Sequence, residues 1–295
     1  MNDVGRVVAR YRRHCLVETG DDRRIACQIS RRSLNPVVGD EVEWQSDSDD
    51  TGIVNDILPR HSELTRINNR GAPEVAAANL TQLVVVLAVK PVPDWFLLDR
   101  YLASAELSAL KSVIVFNKVD LAEAPSQVLD DYRDLTNAIC TASAKRMENL
   151  DALCAQMRDQ RSAMIGQSGV GKSSLINALL GDSVQEVSAL SERSGHGRHT
   201  TTTAVLYRLP SGGELIDSPG VRDFAPYIED PRRVQRGFRE ITKFSNDCRF
   251  DDCAHLAEPG CAVKEAVTDG AIACRRYESY KALLALTESL KTGQR

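Results

Sequence analysis

Aromatic residues are scarce, at 5% of the chain, and the longest apolar run is Leu83–Val89. That run is strand-length and far short of the ~20 residues that cross a bilayer as a helix, so no membrane-spanning helix is expected. Charge of one sign is also lacking: 37 Lys and Arg stand against 41 Asp and Glu, a formal net charge of -4. No global basic field therefore draws the chain to nucleic acid, and any RNA contact must come from local patches. With so few aromatics, such contact rests on the nucleic-acid backbone more than on base stacking. No charged-then-apolar leader opens the sequence, and no internal repeat or low-complexity tract interrupts it. The expectations are a cytoplasmic location, no membrane partner and a monomer. In a reducing compartment the default for the eight cysteines is free, mostly buried thiols.

What is present has the texture of a soluble globular protein, 42% hydrophobic and 26% charged. A length of 295 residues suits two or three domains. Residues 1–61 read as all-β, with short alternating runs at Val4–Ala9, Cys15–Val17, Arg24–Ile29, Glu41–Trp44 and Ile53–Leu58 between turn signals. They fit an OB-fold barrel, and an SH3-like barrel almost as well. Residues 62–227 alternate buried strands (Leu83–Val89, Ser112–Phe116, Ala138–Thr141, Ser162–Ile165) with helical patterns (Trp95–Ala109, Met147–Arg158), the sign of a parallel α/β sheet. Residues 228–295 read as mostly helical around a cysteine-rich loop.

Gly166-Gln167-Ser168-Gly169-Val170-Gly171-Lys172-Ser173 matches G-x-x-x-x-G-K-[ST] at every fixed position, with Ser174 following. An apolar strand enters it and an apolar-periodic helix leaves it, the context a phosphate loop requires. Glycines let successive backbone N–H groups turn toward phosphate oxygens, and the helix N-terminus adds partial positive charge. Lys172 is placed to reach the β- and γ-phosphates and Ser173 to ligate Mg²⁺.

A phosphate loop does not choose a base, but Asn117-Lys118-Val119-Asp120 does. The Asp120 carboxylate accepts from both N1–H and the exocyclic amine of guanine, a donor pair that adenine lacks. Asn117 is expected to tie this segment to the phosphate loop. Ser143-Ala144-Lys145 follows the next strand, with the Ala144 N–H facing guanine O6. Asp217-Ser218-Pro219-Gly220 completes the set: Asp217 holds Mg²⁺ through water, and the Gly220 N–H senses the γ-phosphate. From the run Thr200–Thr203, Thr201 is the expected second Mg²⁺ hydroxyl. Both guanine segments precede the phosphate loop, the reverse of the usual order. A sheet can keep its form while the chain is cut elsewhere, because domain termini lie close together. The reading is a circularly permuted GTPase with GTP as substrate.

Cys248-x4-Cys253-x-His255-x5-Cys261 offers three thiolates and an imidazole, a closed structural zinc set, one ion per chain. Cys274 falls in a helical pattern and is excluded. A GTP-dependent metal-delivery chaperone is the rival function, and the closed ligand set argues against it. An ATP-dependent phosphotransferase is disfavoured by Asn117 and Asp120.

With its permuted motif order, N-terminal barrel and Cys248/Cys253/His255/Cys261 set, the chain resembles the ribosome small-subunit-dependent GTPase A (RsgA) family. Gly166–Ser174, Gly197-Arg198-His199-Thr200-Thr201 and Asp217-Ser218-Pro219-Gly220 carry the likeness, which covers nearly the whole chain. The resemblance implies late maturation of the small ribosomal subunit, with slow GTP hydrolysis that the subunit stimulates. It also implies that the barrel and zinc domain grip rRNA. The segment ahead of the barrel is short, so contact by a longer basic tail is not expected. Arg6, Arg10, Arg12, Arg13, Arg23, Arg24, Arg31 and Arg32 in the barrel become candidate RNA contacts. So do Arg232, Arg233, Arg236, Arg239 and Lys243, with helical spacing placing Arg232, Arg236, Arg239 and Lys243 on one face. Val221 stands where many GTPases carry a water-orienting Gln, so intrinsic hydrolysis should be slow. His196 and His199 lie in the threonine segment, and the family pattern favours His199 as the catalytic group.

Overall fold

The structure, a computed structural model, describes residues 3–31, 33–48, 50–68, 72–181, 204–217 and 227–293. Five strands open it: β1 (Asp3–Arg10), β2 (His14–Glu18), β3 (Arg24–Ile29), β4 (Glu41–Ser46) and β5 (Thr51–Ile57). Alternation closes them around one core, because every second side chain turns inward. Val7, Cys15, Val17, Ile25, Cys27, Val42, Trp44 and Val54 meet there. The strands run in the order β1-β2-β3-β5-β4, and β4 returns to β1. That closure, with β3 and β5 parallel, decides between the two expected barrels in favour of the OB-fold. A hairpin of β6 (Glu63–Ile67) and β7 (Pro73–Ala78) follows as a separate two-stranded sheet, which the sequence pattern did not reveal.

The second body is an α/β sheet. Its elements are β8 (Gln82–Ala88), α1 (Trp95–Leu107), β9 (Lys111–Asn117), α2 (Ser126–Asp130), β10 (Ala138–Ala142), α3 (Leu150–Met157), β11 (Arg161–Ile165), α4 (Lys172–Leu180), β12 (Ala204–Arg208) and β13 (Glu214–Asp217). The strand order is β10-β9-β8-β11-β13-β12, parallel except for β12. The central strand β8 is buried on both faces: Leu83, Val85 and Leu87 join the core under α1, while Val84, Val86 and Ala88 join the core under α3 and α4. This explains its unbroken apolar run. The helix expected from Met147 begins later, at Leu150, because Met147 and Asn149 adopt positive φ and the chain turns there first.

One sheet includes both bodies. At its far end β1 pairs with β12, Ala9 opposite Val205 and Arg10 opposite Ala204, so barrel and α/β sheet are hydrogen-bonded to each other. The C-terminal part carries α5 (Pro231–Val234), a 3₁₀ turn (Gln235–Gly237), α6 (Arg239–Ser245), α7 (Ala262–Thr268) and α8 (Cys274–Gly293). Its core contains Val234, Phe238, Ile241, Val263, Tyr280 and Leu283. The single basic helix face expected over 232–243 does not form. Gly237 packs so closely on α1 that a Cβ there would lie 2.8 Å from the Ala103 Cβ, and Phe238 then turns extended to enter the core. Among the described residues no helix is long and apolar enough to cross a membrane.

Candidate functional site

The parallel strands end at one edge, and the motifs sit there. Asn117 closes β9, Ser143 follows β10, Gly166 follows β11 and Asp217 ends β13. The chain builds β8, β9 and β10 outward and then crosses back to β11 beside β8. The strand order reverses between β8 and β11, and in open α/β sheets ligands bind outside the carboxyl ends of the strands at such a point.

Gly166, Gly169 and Gly171 take φ values of +145°, +80° and +95°, which turn the loop between β11 and α4. Lys172, the first residue of α4, is buried and donates from Nζ to the carbonyls of Gly166 (2.6 Å) and Gln167 (2.9 Å). Its ammonium thus sits inside the turn where phosphate would lie. Gln167 reaches the other way: its Oε1 accepts from the Asp94 N–H (2.9 Å) and its Nε2 donates to Val92 O (3.1 Å). Nothing in the motif's spacing signalled that role.

Asn117 is 2% exposed and joins three segments. Its Nδ2 donates to Val170 O at 2.9 Å, and its Oδ1 accepts from the Ala144 N–H at 3.2 Å. Gly171 leaves room for that amide, since a Cβ there would stand 2.4 Å from the Asn117 Nδ2. Lys118 Nζ donates to Gly169 O (2.6 Å) and Lys90 O (2.8 Å), laying its alkyl stem beside the phosphate loop. Ser143 Oγ donates to Asp120 Oδ1 at 2.7 Å, and this bond holds the Asp120 carboxyl below the usual range. The Asp120 side chain is therefore an ionised acceptor, the form that two guanine donors require. The Ala144 N–H, expected to face O6, is engaged by Asn117 here. Val119 and Lys145 flank these groups on the same two loops. His199, Thr201 and Gly220, with His196, Ser218, Pro219 and Val221, lie outside the described residues.

A second cluster forms in the C-terminal part. One ligand atom from each of Cys248, Cys253, His255 and Cys261 lies within 4.8 Å of all the others. Cys248 Sγ stands 3.9 Å from Cys261 Sγ, and His255 Nδ1 stands 3.5 Å and 3.4 Å from those two sulfurs. Ligands at about 2.3 Å (sulfur) and 2.0–2.1 Å (nitrogen) from an ion at tetrahedral angles are separated by about 3.5–3.8 Å, so the donor set fits a tetrahedral metal. Burial lowers the His255 pKa and keeps the ring neutral, as a ligand must be. Glu258 accepts from the Ala254 and Leu256 N–H groups, while Tyr277 and Tyr280 donate to the His255 and Ala254 carbonyls. Cys274 is exposed at the start of α8, outside the cluster.

The arginines divide. Arg6 bridges Glu18 (2.7 Å) and Glu214 (2.8 Å), and Arg24 and Arg208 also converge on Glu18. Burial opposes ionisation of Glu18, yet these guanidiniums, Arg6 first, outweigh it and hold the carboxyl low. Arg10 caps carbonyls of Pro36 and His14, Arg23 pairs with Asp21, and Arg31 with Asp56. Arg232 pairs with Asp230 and Arg239 with Glu106. Arg6, Arg10 and Arg24 are thus drawn inward, while Arg23, Arg31, Arg232 and Arg239 hold surface pairs; Arg32 lies outside the described residues. Arg12 and Arg13 stand exposed on the β1–β2 turn, and Arg233, Arg236 and Lys243 are exposed on the segment that precedes the metal loop in sequence.

A family model described as RsgA GTPase matches residues 57–226. The small ribosomal subunit biogenesis GTPase RsgA of Chromohalobacter salexigens is 43% identical over 286 residues, 94% of this chain and 84% of that one. The protein of the same name from Shewanella oneidensis is 41% identical over 292 residues, 95% of this chain and 82% of that one. Among solved structures, YjeQ from Thermotoga maritima superposes with a TM-score of 0.77 at 31% identity, covering 97% of this chain and 99% of that one. YloQ, described as a circularly permuted GTPase, gives 0.74 at 28% identity over 98% and 96%.

Proposed function

This chain belongs to the RsgA GTPase family and hydrolyses GTP, and from that premise we propose that it is a switch in small-ribosomal-subunit maturation, binding the subunit with GTP and leaving with GDP. The observation that carries the nucleotide reading is the Asn117 amide, which joins the guanine-reading loops to the phosphate loop in a permuted chain. The ribosomal partner rests on the names of the relatives.

In this reading Gly166, Gln167, Ser168, Gly169, Val170, Gly171, Lys172, Ser173 and Ser174 surround the phosphates, and Ser173 with Thr201 holds Mg²⁺. Asp217 contacts that ion through water, and Gly220 reports the γ-phosphate. Asn117, Lys118, Val119 and Asp120, with Ser143, Ala144 and Lys145, hold guanine. Cys248, Cys253, His255 and Cys261 hold one structural zinc, which folds the loop and takes no part in the chemistry. Four donors close that shell, which counts against metal delivery. The chain divides into a barrel (1–61), a permuted GTPase domain (62–227) and a zinc domain (228–295). The exposed Arg12, Arg13, Arg233, Arg236 and Lys243 contact rRNA phosphates.

GTP hydrolysis with and without purified small and large subunits tests the reading. The small subunit should stimulate turnover and the large one should not. His199→Ala should lower the stimulated rate about 10²-fold or more, the size of a water-orienting or general-base effect, with GTP binding unchanged. Equal stimulation by both subunits, or none, refutes the assignment. Full stimulation of both His199→Ala and His196→Ala moves the catalytic group to the ribosome.

A further inference from the structure

The metal loop is linked to the phosphate loop by an unbroken series of contacts running through α1. The series starts at Gln167, whose side-chain amide holds the Val92 carbonyl and the Asp94 N–H. The two bonds have opposite polarity, so they fix the amide's orientation. The Asp94 carboxylate caps α1 by accepting from the Leu97 N–H at 2.9 Å.

Helix α1 has two working faces. Leu98, Tyr101, Leu102 and Ala105 pack on the sheet. Asp99, Ala103 and Glu106, spaced i, i+4 and i+7, face the C-terminal part. Asp99 Oδ1 accepts from Arg276 Nη1 at 2.7 Å, Ala103 meets Gly237, and Glu106 pairs with Arg239 at 2.6 Å. Arg276 also donates from Nε to Glu240 Oε1 at 2.6 Å and lies over the Phe238 ring. Tyr132, on the connector between the two guanine-reading segments, donates to the same Asp99 oxygen at 2.8 Å.

Asp99 and Arg276 are almost wholly buried, with side-chain exposures of 0% and 2%. Separating them would break a buried ion pair in a low-dielectric interior, leaving Arg276 only Glu240 and Asp99 only Tyr132 and the more distant Arg275, so the helix and its partner are held to move together. Directly after Arg276 in α8, Tyr277 donates to His255 O at 2.5 Å and Tyr280 to Ala254 O at 2.9 Å. His255 Nδ1 in turn faces the sulfurs of Cys248 and Cys261. Each step from Gln167 to the metal ligands is a short polar bond or a stretch of one helix.

We propose that α1 couples the two sites, with Asp99 and Arg276 as positioning residues, so that guanine nucleotide on the phosphate loop and zinc in the Cys/His loop strengthen each other's binding. The proposal rests on the functional reading above, in which those two sites hold those two ligands. Coupling between binding sites is reciprocal: whatever factor nucleotide adds to zinc affinity, zinc adds to nucleotide affinity.

The test uses the full chain loaded with zinc. Zinc affinity is measured by competition with a chelator of known affinity, with saturating GDP and without nucleotide. GDP affinity is measured before and after zinc is stripped. GDP should tighten zinc binding at least about fivefold, within the usual range for coupled sites, and stripping zinc should weaken GDP by the same factor. The triple variant Asp99→Leu/Glu240→Leu/Arg276→Met replaces the whole buried ion triad with apolar groups of similar size, a change that such networks tolerate. It should bind both ligands with the factor reduced to near one. Tyr277→Phe/Tyr280→Phe keeps the rings and removes only the bonds to the metal loop; it should lose the factor too, and it decides the matter if the first variant does not fold. A merely structural role would lower stability and leave the factor intact. Zinc affinity indifferent to GDP in the wild type overturns the proposal and leaves the proposed function standing, as does a factor retained in the folded variants. A chain that binds no guanine nucleotide or no zinc overturns the functional reading and the coupling together.

Discussion

Replacing Asn117 by Ala isolates the contact that makes one site of three loops. The side chain is 2% exposed, at the end of β9, and its bonds to Val170 O (2.9 Å) and from the Ala144 N–H (3.2 Å) are both lost. A net hydrogen bond contributes about 1 kcal/mol, and a buried group left unpaired costs about 1–3 kcal/mol. Val170 is fully buried, so its carbonyl takes the larger penalty, while Ala144 is partly open and recovers some of its bond from water. The sum is about 2–4 kcal/mol, or a factor of about 30–1000 at 1.36 kcal/mol per decade. With nucleotide bound, the loops cannot separate to let water reach the orphaned groups. Without it they can, so most of the loss falls on affinity. GTP and GDP should weaken alike, at least about 30-fold, because Asn117 braces the loops and does not distinguish the γ-phosphate. Titration with fluorescent GDP and a non-hydrolysable GTP analogue reads both constants, and thermal unfolding reads the remainder. Gly171→Ala should give the same pattern by a separate route, because its new Cβ displaces the same amide. Weakening of GTP alone, or unchanged affinities with unchanged Tm, refutes the reasoning.

Four further outcomes are expected. Asp120→Asn should weaken GTP about a hundredfold or more and admit xanthosine triphosphate, whose carbonyl matches the new amide N–H; a variant that binds GTP as before contradicts the assignment. The Ser143 hydroxyl lowers the Asp120 pKa. A depressed carboxylate contributes above its ordinary value and is lost as pH falls through the lower one. Guanine affinity should therefore stay flat from pH 8 to about pH 5 and fall only below the ordinary Asp range, and Ser143→Ala should move that fall upward. Lys172→Ala and Ser173→Ala should each abolish GTP turnover while circular dichroism stays native; turnover by both would remove the phosphate-loop reading. Elemental analysis should find one zinc per chain, and its chelation should first loosen α6, α7 and the start of α8 by hydrogen exchange, since Tyr277 and Tyr280 anchor α8 to the metal loop. Unchanged exchange there after metal removal would count against a structural zinc.

The amino-acid order alone determined the features in which a few neighbouring residues meet a local demand. Gly166–Ser173 must turn a loop inward, so its glycines and lysine stand at set intervals; Asn117–Asp120 must offer one acid and one amide after a strand; Cys248, Cys253, His255 and Cys261 need only a short loop to close on an ion. A small N-terminal β-barrel and a parallel sheet were legible for the same reason, because alternation and unbroken apolar runs record which strand faces are buried, whereas the choice of OB-fold over SH3-like barrel needed the strand order. Only the tertiary structure decided the pairings made across long stretches of chain. A row of arginines reads alike whether it faces solvent or a carboxylate, so Arg6 between Glu18 and Glu214, and Arg276 between Asp99 and Glu240, could not be told from RNA-facing charges. The β1–β12 pairing, the β6–β7 hairpin and the break at Gly237 were hidden likewise. Each depends on what a surface meets after folding, and periodicity records that a residue is covered, not by which partner.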